Sequence, residues 1–389
     1  MDATGIVAEY NPFHKGHLYH LQQTKEKTGQ PVIVVMSGSF MQRGEPAFLS
    51  KWLRAKLAVE NGAALVLELP AAFSLRSAQY FADGAVRLLK STGLVRHLSC
   101  GVESANTDFM HMAQIISSPQ AQQRLKQLLK EGTSYASACA QLVSGASCTT
   151  PNDILALEYC KALLYTPITP IFIERQGAGY NDAALSETQL ASATAIRIAY
   201  QSADERLQDA VPPNVADALS ITSAGYDHTL LWQLLSYRLR LLTAPEIAQC
   251  CQCSEGLENL LKAAADCQSL EEALAFCTHK RYTTSRIRRL LCQLLLNVSR
   301  STIEQSQPAY IRVLAFDDIG RALLKAMKET ATLPIITKLG RSPEQGQSQA
   351  FTEQIMLETK ASDLWSLLQN DKRYKKVGSD FLNSPAYVR

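Results

Sequence analysis

The chain has 389 residues, of which 46% are apolar and 19% charged, and its formal charge at pH 7 is +3. This length is sufficient for two or three domains with sizeable cores, and the nearly neutral charge excludes a polycation, so any nucleic-acid surface must be a local patch. No apolar run approaches 18 residues, which excludes a membrane-spanning helix.

The first hundred residues alternate between buried strands and helices. Near-continuous apolar runs at 4–10, 31–36, 64–69 and 97–101 predict parallel strands that are covered on both faces. The runs recur about every 30 residues, the length of a β-α-β unit. Ser50 is expected to cap a helix that precedes Gly62. The pattern predicts a doubly wound α/β sheet, in which ligands bind beyond the carboxyl ends of the strands.

The chain becomes mainly helical after its first third. Residues 104–165 are predicted to be helical, 170–175 form a fifth strand, and a helix begins at 191–197. Further helices are predicted at 214–220, 228–242, 255–265, 270–277 and 285–298. A late β-α-β pattern has strands at 311–316 and 334–337. We therefore expect a domain at 1–205 that binds the ligand and a mostly helical α/β domain at 206–389.

The cysteines and the first residues indicate a cytoplasmic protein. The chain has ten cysteines, and the tightest group, at 250, 251 and 253, lacks the paired C-x-x-C units of a zinc site. We expect reduced thiols and no structural zinc. A strand directly after Met1-Asp2 leaves no room for a signal peptide.

The most informative motif is His14-Lys15-Gly16-His17, which lies between the first strand and a helix. Backbone N–H groups at a helix N-terminus favour anions, and imidazole groups donate to oxygens that gain charge during a reaction. Gly16 lets a nucleobase or ribose approach the backbone. The alternative is a pair of surface histidines, but the position between a buried strand and a helix favours a polyphosphate site.

A second motif begins the helix at 191–197. The run Ala191-Ser192-Ala193-Thr194-Ala195 has no bulky side chain, and Arg197 follows one turn later. The alternative is a plain N-capped helix, because Ser and Thr are common caps. The lack of bulk fits a loop that packs against phosphates.

A third candidate is the basic segment 279–289, which contains five Lys or Arg and no acid. Its apolar residues form one helical face, with Arg289 opposite that face. Tyr282 is placed to stack on an unpaired base. The alternative is a solvated basic face. The segment 371–376 is a similar but weaker candidate for RNA contact.

These motifs together resemble a known family. His14-Lys15-Gly16-His17 and Ser192 to Arg197 are similar to the two signatures of the H-x-G-H nucleotidyltransferase superfamily. The longer match resembles the tRNA(Met) cytidine acetate ligase family over essentially the whole chain. It is carried by residues 7–18, 36–38, 42–47, 50–51, 68–70, Gly101 with Glu103, 151–153, Arg175 with Gly177, and 180–182.

The resemblance implies a nucleotidyltransferase-like Rossmann domain and an ATP-dependent ligase. This enzyme activates acetate to acetyl-adenylate with release of pyrophosphate, and acetylates N4 of the wobble cytidine of elongator tRNA(Met), giving N4-acetylcytidine. We expect Mg²⁺ to accompany ATP at a position that the sequence does not locate. No membrane or DNA partner is expected.

The resemblance also assigns site residues. The residues expected to act in catalysis are His14, Lys15, His17 and Arg197. Those expected to bind ATP are Val7, Ala8, Glu9, Tyr10, Asn11, Pro12, Phe13, Gly16, Leu18, Tyr19, His20, Ser37, Gly38, Gly101, Asn152, Arg175, Ser192 and Thr194. Those expected to bind RNA are Lys280, Arg281, Tyr282, Arg286 and Arg289.

Two other functions are compatible with the motifs. One is a metabolic nucleotidyltransferase that acts on a small phosphorylated substrate, with the second domain used for oligomerisation. The other is an RNA-binding scaffold with an inactive nucleotide fold. The basic segment and the size of the second domain favour the RNA-modifying ligase over the first, and the two intact phosphate motifs disfavour the second.

Overall fold

The computed structural model describes residues 1–133, 135–143, 150–176, 190–250, 253, 256–279, 282–300, 303, 307–340 and 348–389. One sheet contains the strands β1 (Ala3–Ala8), β2 (Val32–Ser37), β3 (Leu65–Leu69), β4 (Val95–Val102), β5 (Thr169–Glu174), β6 (Ile311–Phe316), β7 (Ile335–Ile336) and β8 (Ala386–Tyr387). Among these residues, no helix has the length and apolar character that a membrane crossing requires.

The strands run in the order β5-β4-β1-β2-β3-β6-β7, and β8 pairs with β6. The first five strands are mutually parallel. β6 is antiparallel to β3, with Leu65 opposite Phe316, and β7 and β8 are parallel to β6. The predicted strands and the doubly wound α/β fold are confirmed.

The helices of the first part of the chain lie between these strands. They are α1 (Lys15–Thr28), α2 (Lys51–Glu60), α3 (Ala71–Ser74), α4 (Ala78–Ser91), α5 (Phe109–Ser117), α6 (Pro119–Lys130), α7 (Tyr135–Leu142), α8 (Pro151–Leu163) and α9 (Ala193–Gln201). Ser50 caps α2 as predicted, because its hydroxyl accepts a hydrogen bond from the backbone N–H of Leu53.

The later helices follow the predicted pattern closely. They are α10 (Leu207–Ala210), α11 (Pro213–Ser220), α12 (His228–Leu241), α13 (Ala244–Cys250), α14 (Leu257–Ala263), α15 (Leu270–Cys277), α16 (Thr284–Leu295), α17 (Asp318–Thr330), α18 (Gln349–Leu368) and α19 (Ser379–Leu382). Short 3₁₀ turns occur at Ala264–Asp266 and Lys372–Tyr374.

The sheet is covered on both faces, as the continuous apolar runs indicate. In β2, Ile33 and Val35 belong to one core cluster, whereas Val32, Val34 and Met36 belong to another. Helices α12 to α16 enclose a third cluster that includes Leu235, Leu261 and Leu291. The carboxyl ends of the parallel strands are therefore held rigidly between two layers.

The sheet continues past the predicted domain boundary at residue 205. Strands β6, β7 and β8 come from residues 311–387 and extend the sheet that the first part of the chain begins. The predicted second domain thus contributes both a helical cluster and three strands of the shared sheet, so the boundary does not coincide with the edge of the sheet.

A buried ion cluster ties α2 to the last helices. The ammonium group of Lys51 lies 2.7 Å from Glu68, 3.3 Å from Glu358 and 2.8 Å from Asp380. Burial alone would lower the pKa of Lys51, but the three carboxylates raise it above its usual value. The lysine therefore remains charged in the interior and holds α18 and α19 against β3.

Candidate active site

A cavity opens where β1 and β4 end. The predicted residues that line it are Val7, Ala8, Glu9, Tyr10, Asn11, His14, His17, His20, Gly101, Asn152, Arg175, Ser192, Thr194 and Arg197. This is the carboxyl edge of the parallel strands, where open α/β sheets place their ligands. The structure thus brings both sequence motifs, about 180 residues apart in the chain, to one cavity.

The N-terminus of α1 is organised by His14. This residue is the N-cap, and its Nδ1 atom accepts a hydrogen bond of 3.1 Å from the backbone N–H of Gly16. Because Nδ1 is an acceptor, the proton of the neutral ring must lie on Nε2, which is then a donor. A Cβ atom on Gly16 would lie 2.9 Å from the His14 ring, so a larger residue would displace the ring from this cap.

His17 and His20 follow on the same helix. The Nδ1 atom of His17 is buried and has no hydrogen-bond partner among the described residues. Its ring packs edge-on against Tyr10, with centroids 4.9 Å apart. The Nε2 atom of His20 lies 2.9 Å from the hydroxyl oxygen of Ser99 on β4. His17 is therefore oriented by packing and retains a nitrogen for a ligand.

The three histidines are held in their neutral form. Burial lowers the pKa of His14 to about 3, and the nearby charge of Arg175 adds to this effect. Burial and the neighbouring cationic groups also lower the pKa of His17 well below its usual value. Burial, again with Arg175, lowers the pKa of His20 to about 4. At neutral pH these residues act as hydrogen-bond groups, and the arginines supply the positive charge.

The second motif faces the first across the cavity. Ser192 is the N-cap of α9, and its hydroxyl accepts a bond of 3.1 Å from the N–H of Ala195. Arg197 donates from Nη1 to the carbonyl of Asn11 at 2.8 Å. The N-terminus of α9 and a guanidinium group therefore lie beside the turn that begins α1, which is a suitable arrangement for a polyphosphate.

Glu103 organises the far side of the cavity, although the sequence motifs assign it no role. Its carboxylate accepts hydrogen bonds from Asn152 at 2.5 Å and Thr150 at 2.8 Å, and it lies 3.8 Å from Arg175. Gly101 with Glu103 is one of the motifs that carry the family resemblance, and this motif was the feature of the sequence that could have identified Glu103. Glu103 positions two predicted ATP-binding side chains without lining the cavity itself.

The loop 41–45 forms another wall that the site prediction missed. Glu9 accepts a bond of 2.6 Å from the backbone N–H of Gln42. Burial raises the pKa of Glu9, against the lowering effect of that bond, and the charge of Glu45 adds to the rise. Two carboxylates thus lie in a cavity that otherwise carries positive charge.

The cavity also has an apolar part that no motif indicated. It consists of Met41, Phe81, Cys100, Leu155 and Tyr159. An adjoining cleft on the β5 side shares His14, His17, His20, Gly101 and Arg175 with the cavity, and adds Gly16, Tyr19, Ile173, Glu174, Gln176, Leu190 and Ala191. The histidines therefore line both the cavity that contains this apolar compartment and the cleft beside β5.

Several predicted residues lie outside both compartments. The side chain of Lys15 is exposed at the start of α1, and Phe13 and Leu18 pack in the apolar core. Pro12 is buried beside them. Lys15 does not line the described cavity, so its expected part in catalysis stays a prediction.

Ser37 and Gly38, which are predicted to contact ATP, lie against a buried arginine, and their contact with ATP stays a prediction. Ser37 is fully buried, and its carbonyl accepts a bond of 3.0 Å from Arg54. The carbonyl of Gly38 accepts from the same guanidinium group. Neither residue lines the described cavity. Arg54, which both carbonyls bind, also donates to the carbonyl of Glu9 at 2.6 Å.

The basic segment has a different environment from the one predicted. Tyr282 is only 4% exposed and belongs to the helical core, so it is not available to stack on a base. Arg289 is only partly exposed, and its Nη1 atom donates to the carbonyl of Gln42 at 3.1 Å. Arg286 lies over the Tyr282 ring and, with Arg289, lines a second cavity. Lys280 and Arg281 lie outside the described residues.

No group of three or more His, Cys, Asp or Glu residues in the described part of the chain is arranged to hold a metal ion. Seven described cysteines, including Cys253, Cys267 and Cys277, form no disulfide bond. The expectation that the protein has no structural zinc stays a prediction, because Cys148 and Cys251 lie outside the described residues.

The sequence is similar to one well-defined group of proteins. Residues 1–380 match the family model described as HIGH Nucleotidyl Transferase. The chain is 36% identical to a tRNA(Met) cytidine acetate ligase of Clostridium perfringens, with 100% of both proteins covered. It is 39% identical to a protein of the same name from Leuconostoc citreum, over 95% of this chain and 94% of that protein.

The fold is similar to solved structures of Thermotoga maritima TmcAL. The apo structure superposes with a TM-score of 0.92 at 32% identity, and 100% of both chains is covered. A second structure, bound with alpha-thio ATP, superposes with a TM-score of 0.90 at the same identity and coverage. The similarity therefore extends over the sheet, the cavity and the late helices together.

Proposed function

The chain belongs to the tRNA(Met) cytidine acetate ligase family of HIGH nucleotidyl transferases, and from this membership we propose that it joins acetate to a tRNA cytidine at the expense of ATP. In the first step an acetate oxygen attacks the α-phosphorus of ATP, which forms acetyl-adenylate and releases pyrophosphate. In the second step N4 of the wobble cytidine of elongator tRNA(Met) attacks the acetyl carbonyl. The nitrogen loses a proton, and AMP leaves with the bonding electrons.

One observation carries the proposal: the stacked, neutral imidazoles of His14 and His17 share a cavity with Arg175 and Arg197. His14 has its proton on Nε2, and His17 has a buried nitrogen without a partner. Preorganised donors of this kind stabilise the charge that develops at a phosphate oxygen during attack. No covalent enzyme intermediate is required, because the adenylate is already an activated acyl group.

The two compartments suggest where the parts of the substrates lie. The cleft beside β5 offers the backbone of Ile173–Gln176 and the open surface of Gly101, which suits the edge of a nucleobase and its ribose. The triphosphate would then follow the N-termini of α1 and α9. The apolar compartment remains for the methyl group of acetate, beside Phe81 and Leu155.

The residues of the cavity fit a Mg²⁺ ion that arrives with the nucleotide. Mg²⁺ in nucleotide sites is usually held by phosphate oxygens and one or two carboxylates. Glu9 and Glu45 line the cavity and would be the protein ligands. The ion would neutralise part of the charge of the phosphates, in addition to the charge of the arginines.

The tRNA partner is supported by the environment of Arg286. This residue and the exposed Ser77 and Gln79 line the second cavity, close to the start of α4. The basic residues Lys280 and Arg281 precede it in the chain. We place the single-stranded anticodon region of the tRNA on this side, where unpaired bases are accessible to side chains. We infer a cytoplasmic location, since both ATP and tRNA are found there, and no DNA substrate.

The decisive experiment measures the two half-reactions separately. Purified protein should exchange radiolabelled pyrophosphate into ATP only when acetate is present. Addition of elongator tRNA(Met) should then yield AMP and a cytidine whose mass increases by one acetyl group. Exchange that requires a phosphorylated metabolite instead of acetate would establish the alternative nucleotidyltransferase, and acetylation of free cytidine as readily as of tRNA would contradict the assigned partner.

A further inference from the structure

Helix α16 packs directly against the loop that borders the candidate active site. Gly44 has a φ of 79°, and a Cβ atom placed on it would lie 2.3 Å from the backbone nitrogen of Arg289. The thiol of Cys292 lies 3.3 Å from the carbonyl oxygen of Gly44, and Gln293 donates to the carbonyl of Leu75 at 2.7 Å. The loop and the helix are therefore in direct backbone contact at Gly44.

The loop is itself closed by two backbone hydrogen bonds. The N–H of Met41 donates to the carbonyl of Glu45, and the N–H of Gly44 donates to the carbonyl of Met41, both at 2.9 Å. The side chain of Gln42 donates to the carbonyl of Arg76 at 3.1 Å. These three bonds fix the backbone of the loop between α16 and the cavity.

Arg289 and Glu9 bind opposite ends of the same residue. The guanidinium group of Arg289 donates to the carbonyl of Gln42, at 3.1 Å, and the N–H of Gln42 donates to the carboxylate of Glu9, at 2.6 Å. Arg288 lies 3.6 Å from Glu45, which also lines the cavity. The two arginines therefore hold the loop from the side of the helix, and Glu9 holds it from the side of the cavity.

We propose that Arg289 is a positioning residue, which fixes the carboxylate of Glu9 in the cavity by holding Gln42. The importance of Arg289 for catalysis rests on the proposed function. The contacts among Arg289, Gln42 and Glu9 do not depend on the identity of the substrate. Burial lowers the pKa of Arg289 to about 10, so the group remains charged at neutral pH and its bond to the carbonyl is charge-assisted. Helix α16 is thereby mechanically connected to the cavity, and a ligand that displaces this helix alters the position of Glu9.

The test is a double-mutant cycle on ATP binding, measured by titration calorimetry without acetate. The proteins are the unsubstituted chain, Arg289→Ala, Glu9→Ala and the double variant. We expect Arg289→Ala to change the ATP affinity by about twofold or more, which is the lower end of coupling within a shared network. The same substitution should have no further effect once Glu9 is absent. An equal change in both backgrounds would overturn the inference.

Two further variants separate positioning from general destabilisation. Arg289→Lys should restore most of the affinity, because an ammonium group can donate to the Gln42 carbonyl. Arg240→Ala is the matched control, since Arg240 also donates to a backbone carbonyl, that of Ala265, at 3.0 Å but far from the cavity. If Arg289→Ala and Arg240→Ala lowered the ATP affinity equally, Arg289 would have only a structural role, and the inference would be wrong.

The acetate-dependent exchange reaction supplies the second readout. Arg289→Ala should lower its kcat by about 10-fold or more, as expected when a reacting geometry is disturbed. It should leave the salt dependence of tRNA binding unchanged. If no carboxylate supports exchange, the proposed function fails while the ATP-binding cycle still decides the role of Arg289. A loss of tRNA affinity alone would show that Arg289 contacts RNA, and would overturn the inference.

Discussion

The imidazole rings of His14 and His17 stack with their centroids 3.6 Å apart and their planes inclined by 27°. Two protonated rings at this distance would repel each other, and the low pKa of both residues removes that conflict. The pair can therefore present two neutral donors to one phosphate group, while the formal charge stays on arginines that cannot lose it at physiological pH.

His17→Ala should lower acetate-dependent pyrophosphate exchange by roughly 10² to 10³, the typical loss for one preorganised donor. The measurement is the exchange rate, with thermal unfolding as the check on folding. His111→Ala is a matched control, because His111 is exposed on α5 away from the cavity. If a well-folded His17→Ala protein catalysed pyrophosphate exchange at the normal rate, His17 would take no part in the reaction.

The buried histidines should also make stability depend on pH. His20 has an ordinary pKa of 6.5 when unfolded and about 4 in the folded chain, because burial opposes its charge. Between these values the unfolded chain binds more protons, so the free energy of unfolding falls as the pH falls from about 6.5 towards 4. His20→Gln lacks this contribution. We expect its melting temperature to fall less than that of the unsubstituted protein between pH 7 and pH 5; equal slopes would contradict the assignment.

The sequence predicted the parallel strands and the two phosphate motifs because both depend on local patterns. A continuous apolar run identifies a strand buried on both faces, and a histidine motif directly after such a strand must lie at the carboxyl edge of the sheet. The pairing of β6 with β3 was not predictable in this way. These strands are separated by more than 200 residues and no local signal records their contact.

The environment of α16 shows the same limit on a smaller scale. The spacing of Ile287, Leu290 and Leu294 correctly identified the apolar face of the helix. A helical wheel does not tell which of the remaining residues meets another part of the chain, so Arg289 was expected to contact RNA. Tyr282 was expected to stack on a base because it lies beside cations in the sequence, whereas its ring belongs to the helical core.

The apolar compartment leads to a prediction about acyl selectivity. Leu155→Ala should increase the use of propionate relative to acetate by about fourfold, which corresponds to burial of one additional methylene group. The ratio of kcat/KM values in the exchange reaction measures it. Ile154→Ala is the control, since this adjacent residue of α8 lines the second cavity instead. If Leu155→Ala left this ratio unchanged, the acetate methyl group would have to bind in another part of the cavity.

The ion cluster around Lys51 leads to a prediction about stability. Lys51→Met removes the ammonium group that contacts the buried carboxylates of Glu68, Glu358 and Asp380, which should lower the free energy of unfolding by about 3–5 kcal/mol. Lys56→Met, on the exposed side of the same helix, should cost at most about 1 kcal/mol, as is usual for a surface pair. Urea unfolding at pH 7 compares the two. Similar losses would mean that the buried charges are compensated by other groups.

The last prediction concerns the surface that binds tRNA. Replacement of Lys280, Arg281 and Arg286 by Ala should weaken tRNA binding and acetyl transfer while acetyl-adenylate formation continues. Each phosphate contact contributes to the dependence of log K on log salt concentration, so the loss of three contacts should lower the slope by about 2–3 units. Arg289 is left in place here, because it holds the loop of the cavity.

The matched control removes the same charge from the exposed side of α17, with Arg321, Lys325 and Lys328 replaced by Ala. This control should bind tRNA with the unsubstituted slope. Binding measured from low to physiological salt distinguishes the possible outcomes directly. Equal slopes in both triple variants would place the RNA on another surface, because net charge alone would then explain any weakening. A parallel collapse of acetyl-adenylate formation in the first variant would instead assign those three residues to the ATP cavity or to the fold.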